Sequence, residues 1–96
     1  MAFEDYRLNA QVRQVLVRRG LDLGRIEHGV TNSVIYIRGT VRSHLTGDDD
    51  DPNQTRLDEI STVSRLERAL RSLPGTRDVI FDLDRLIKVG WKWRSR

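Results

Sequence analysis

The sequence predicts an α+β fold of order α-β-β-α-β, with two helices on one face of a three-stranded mixed sheet and an extended final strand. Three observations carry this reading. Two stretches repeat apolar residues at helical spacing, three further stretches alternate with period two, and turn-forming residues separate them. All five stretches fit within a single domain of 96 residues.

The first helix is expected over Asp5 to Arg19. Leu8, Val12, Val15 and Leu16 form one stripe. Asp5 is expected to cap its start, and Gly20 to stop it in a left-handed conformation with Leu21 folded back. After a connector, Arg25 to Val30 reads as a strand with Ile26, His28 and Val30 on one face. Thr31-Asn32-Ser33 is turn chemistry, so this strand and the next form an antiparallel hairpin. Ser33 to Ser43 is the central strand. Ile35, Ile37, Gly39 and Val41 point one way; Val34, Tyr36, Arg38 and Thr40 point the other. Gly39 is expected to let a helix backbone approach the core face.

Residues 44–53 form a polar loop with four consecutive carboxylates, Asp48, Asp49, Asp50 and Asp51. Pro52 suits the first turn of a second helix, expected from about Thr55 to Leu73. Leu57, Ile60, Val63, Leu66, Leu70 and Leu73 make its buried stripe, and Pro74-Gly75-Thr76 ends it. From Asp78 the period is two again. Val79, Phe81 and Leu83 share their parity with Ile87, Val89, Trp91 and Trp93, with Arg85 the exception. This continuity favours one long or bulged strand reaching Trp93 over a bend at Asp84-Arg85 that opens a fourth strand. The domain core is expected over about 5–84, with 85–96 as an extension.

These motifs resemble the BON domain, a small bacterial α-β-β-α-β module. Ile35-x-Ile37-x-Gly39-x-Val41 followed by Ser43 is similar to one half of its pattern. Leu73-Pro74-Gly75-Thr76-Arg77-Asp78-Val79, with Phe81 and Leu83, is similar to the other. The loop 43–53 is longer and more acidic than in that family, and Thr76 replaces its usual valine. The resemblance implies a non-catalytic module that associates with membranes, phospholipid or other proteins, and it carries over no functional residue. The same order of elements also resembles the ring-building motifs of secretion and sporulation machines, which implies a homo-oligomer.

Composition narrows the function classes. The chain has no cysteine, which removes disulfides and thiolate chemistry. No apolar run approaches a membrane span, and the amino end lacks a signal-peptide pattern, so a cytoplasmic location is expected. Residues 85–96 hold five of the seventeen basic residues and none of the fourteen acids, so the first 84 residues sum to −2. The basic character thus belongs to the tail, which argues against a broad nucleic-acid face.

In that tail, Lys88, Trp91, Lys92, Trp93 and Arg94 interleave two indoles with cations. This mixture suits a protein partner, an anionic lipid surface or single-stranded nucleic acid. Alternatively, the indoles extend the core face and the cations stay solvated. Asp48 to Asp51 form a candidate acidic docking loop. Their contiguity, with Gly47 ahead of them, departs from a calcium loop, so no metal is expected. His28 and His44 lack a nucleophile elbow around them, and the glycines form no phosphate-cradling loop, so neither an enzyme nor a cofactor is expected. The expected function is a protein-interaction or self-assembly module working through a sheet edge and the C-terminal strand. Peripheral binding to anionic phospholipid is the alternative, and single-stranded nucleic acid a weaker one.

Overall fold

The computed structural model describes residues 3–41 and 52–96. Helix α1 (Phe3–Arg18) leads through a 3₁₀ turn (Leu23–Arg25) to strands β1 (Ile26–Thr31) and β2 (Val34–Gly39). Helix α2 (Pro52–Arg71) and strands β3 (Asp78–Leu83), β4 (Leu86–Val89) and β5 (Lys92–Ser95) follow. The main sheet has order β1-β2-β3. β1 runs antiparallel to β2, and β3 runs parallel to it. Strands β4 and β5 form a separate antiparallel hairpin.

The core forms where the helical stripes meet the inward residues of the sheet. Leu8, Val12 and Leu16 of α1 and Val63, Leu66 and Leu70 of α2 are buried with Ile35, Ile37 and Val79. On the opposite face of the sheet, Tyr36 and Ile80 are exposed. The α1 stop forms as expected. Gly20 has φ +67°, Leu21 N–H donates to the Leu16 carbonyl, and Gly20 N–H donates to that of Val17.

Asp5 is not the helix cap. It lies inside the first turn of α1, and its buried carboxylate accepts from Asn32 N–H at 3.0 Å and Ser33 N–H at 2.8 Å. Asn32 and Ser33 have φ of +52° and +65°, the paired positive values of a type I′ turn. A type I′ turn directs two amides the same way, and one carboxylate receives both.

Gly39 serves a different neighbour from the one expected. A Cβ there would sit 2.2 Å from the carbonyl oxygen of Arg25, and Gly39 has φ +111°. It is the last carbonyl of the 3₁₀ turn, just before β1, that comes this close, not the backbone of α1 or α2.

The single long strand is also corrected. β3 makes its last bond to β2 when Asp84 N–H donates to the Gly39 carbonyl at 2.9 Å. β2 ends there, so the chain beyond has no ladder to follow, and it bends at Asp84-Arg85. The buried position moves from Leu83 to Leu86, an offset of three, which inverts the period-two phase. A two-residue turn at Gly90-Trp91 then reverses the chain. Gly90 has φ +64° and Trp91 does not share it, the type II′ pattern.

The hairpin belongs to the core rather than extending past it. Leu86 and Trp93 are buried, and Trp93 meets Phe81 edge to face at 5.2 Å.

Candidate functional site

The hairpin sorts the five tail residues singled out in the sequence. Register pairs Ile87 with Arg94, Lys88 with Trp93 and Val89 with Lys92. Directly paired residues share a face, so Leu86, Lys88 and Trp93 look inward while Ile87, Val89, Lys92 and Arg94 look outward. Trp91 stands at the turn, 81% exposed, with the Lys92 amine 4.8 Å from its ring centroid.

Trp93 is therefore not a surface contact residue. Its indole N–H is buried without a hydrogen-bond partner, and its ring fills the space between β3 and the hairpin.

Lys88 is committed internally as well. Its amine donates to the Glu67 carboxylate on α2 at 2.6 Å. Glu67 also accepts from Arg71, which in turn reaches Asp78 at 2.9 Å. Burial alone would raise the pKa of Glu67, but the bonds from Lys88 and Arg71 outweigh it and hold the carboxyl below its ordinary value. Two more of the tail cations are tied down. Arg85 pairs with the buried Glu59 at 2.9 Å, and Arg96 donates to the Leu83 carbonyl at 2.9 Å.

Lys92 and Arg94 remain. Among the described residues, no carboxylate lies within ion-pair distance of either. The outer hairpin face thus presents Ile87, Val89 and Trp91 beside two uncommitted cations. Of the five tail residues singled out in the sequence, Trp91, Lys92 and Arg94 lie on this face beside Ile87 and Val89, while Lys88 and Trp93 lie on the inner one. Ile87 escaped the sequence reading because the phase inversion at Asp84-Arg85 is not visible in its parity, whereas Val89 was expected to need cover if the last strand outran the sheet.

No family model, curated protein or solved structure matches this chain.

The acidic docking residues Asp48, Asp49, Asp50 and Asp51, and His44, lie outside the described residues. His28 is half-buried on β1 and bonds Asn9 of α1 through Nδ1 at 3.0 Å. Burial first, and the nearby Arg13 charge second, lower its pKa from 6.5. Among the described residues, no group of three or more His, Asp or Glu side chains is placed to hold a metal ion, and no helix is long and apolar enough to cross a membrane.

Proposed function

We propose that this chain is a non-catalytic protein-interaction module that self-associates, with the outer face of its C-terminal hairpin as the contact surface. The observation that carries the reading is the sorting of the tail. Three of its five cations are held by partners within the fold, while Lys92 and Arg94 stay uncommitted next to three exposed apolar side chains. Apolar area supplies the attraction, and the cations select an acidic counterpart.

A second copy fits that description. The first 84 residues sum to −2 and the tail carries five cations, so a contact from the tail of one copy to the body of another is electrostatically favourable. The resemblance of the element order to ring-building motifs supports an assembling role. Sedimentation velocity on a chain carrying Val89→Ser and Trp91→Ser tests it. Both positions are exposed, so the fold should survive while association is lost. Unchanged association in that variant would rule the hairpin out as the contact.

One observation favours a second reading. An indole at the tip of a turn with a lysine against its ring is the side-chain pair found at membrane interfaces. Co-sedimentation with vesicles containing phosphatidylserine separates the two. Lipid attachment requires anionic lipid, weakens with salt and falls on Lys92→Gln with Arg94→Gln.

A further inference from the structure

A shallow depression of about 500 Å³ opens where the end of α1 meets α2, and it is lined by Arg19, Arg65, Arg68, Ala69 and Ser72. All three arginines are exposed. Among the described residues, none of them has a carboxylate within ion-pair distance. Three of the twelve basic residues among the first 84 thus line one depression, although the charge of that stretch sums to −2. The acids of α2 nearby are already engaged: Glu59 faces Arg85, and Glu67 faces Lys88 and Arg71.

We infer that this depression is a binding site for a small, soluble anion of high charge density, of the di- or triphosphate class. The planar fork of each guanidinium offers paired donors that match phosphate oxygens. Density of charge decides between this ligand and an acidic peptide. Arg65 to Ser72 spans about 10 Å at about 1.5 Å per residue of helix. An extended peptide presents a side chain to one side only about every 7 Å, so it delivers about two carboxylates over that length. A triphosphate delivers more charge in less space and meets all three arginines. A membrane surface is disfavoured by the lining, because Ala69 is its only apolar side chain and offers nothing to insert among acyl chains.

Calorimetric titration of the full chain with inorganic tripolyphosphate tests the inference. Binding is expected, weakening as salt is raised. Arg65→Gln with Arg68→Gln should weaken it by about tenfold or more, through the loss of charge-assisted bonds. Lys92→Gln with Arg94→Gln on the hairpin should leave it unchanged, and circular dichroism confirms that both variants fold. Absence of binding, or equal loss in both double variants, overturns the site. Displacement of tripolyphosphate by tetra-aspartate at equal concentration overturns the ligand class, as does tighter binding to phosphatidate vesicles that the Arg65→Gln with Arg68→Gln variant abolishes.

Discussion

Asp5 couples the start of α1 to the β1–β2 turn through a single side chain. Its two bonds satisfy amides that the turn points inward, so removing the carboxylate leaves both without a partner. Asp5→Ala should cost about 2–3 kcal/mol in urea denaturation, the range for hydrogen bonds to a charged group. Asp5→Asn should cost less, because it keeps one acceptor oxygen. No change in either variant would show that the turn holds its own geometry.

Gly39 and Gly75 offer a matched comparison. Both have positive φ, +111° and +85°, but only Gly39 faces a backbone atom where a Cβ would stand. Gly75→Ala should cost about 1–2 kcal/mol from backbone strain alone. Gly39→Ala should cost clearly more, since the Arg25 carbonyl cannot move without unpairing β1. Equal losses would mean that the strand start yields.

His28 adds a dependence on pH. Its folded pKa lies below 6.5, so the folded state disfavours the protonated ring. The stability this contributes is full above 6.5 and is lost as pH falls through the lowered folded value. The denaturation midpoint should therefore drop across that window, and His28→Gln should flatten the drop.

At the scale of elements, the hairpin is a structural part that also offers a surface. Its inner face is tied to α2 by Lys88–Glu67 and Arg85–Glu59, and to β3 by Trp93 against Phe81. The two indoles should therefore separate sharply in thermal or urea unfolding. Trp93→Ala should cost about 3–5 kcal/mol as a buried aromatic truncation. Trp91→Ala should change stability by no more than about 0.5 kcal/mol. Similar losses for both would place Trp91 in the core and remove the proposed surface.

The helices, the β1–β2 hairpin and the parallel return to β3 were legible in the sequence, because burial there follows simple periods of 3.6 and two. The hairpin was not. Ile87, Val89, Trp91 and Trp93 keep the parity of Val79 and Leu83, but the ladder beneath them ends at Gly39, and parity has no meaning once a strand loses its partner. The role of Asp5 was hidden for a related reason. A carboxylate near a helix start reads as a cap, and only the folded turn shows that its acceptors are needed elsewhere. Among the site residues, Trp91, Lys92 and Arg94 were legible as a composition, while the division of the tail into inner and outer faces needed the register.

For the whole molecule, charge and apolar area are unevenly placed. One end carries an uncovered apolar face with two free cations, and the remainder of the chain is net acidic. Such an arrangement favours contacts between unlike surfaces of separate copies, which build rings or filaments rather than closing as a two-fold pair. Association of this kind weakens as salt screens the charges, while the apolar contribution persists. Light scattering across a concentration series, at low and high salt, measures this directly. The mass should rise above that of one 11.2 kDa chain as concentration increases, with a smaller rise at high salt. A mass that stays at one chain throughout would contradict self-association as the work of this protein.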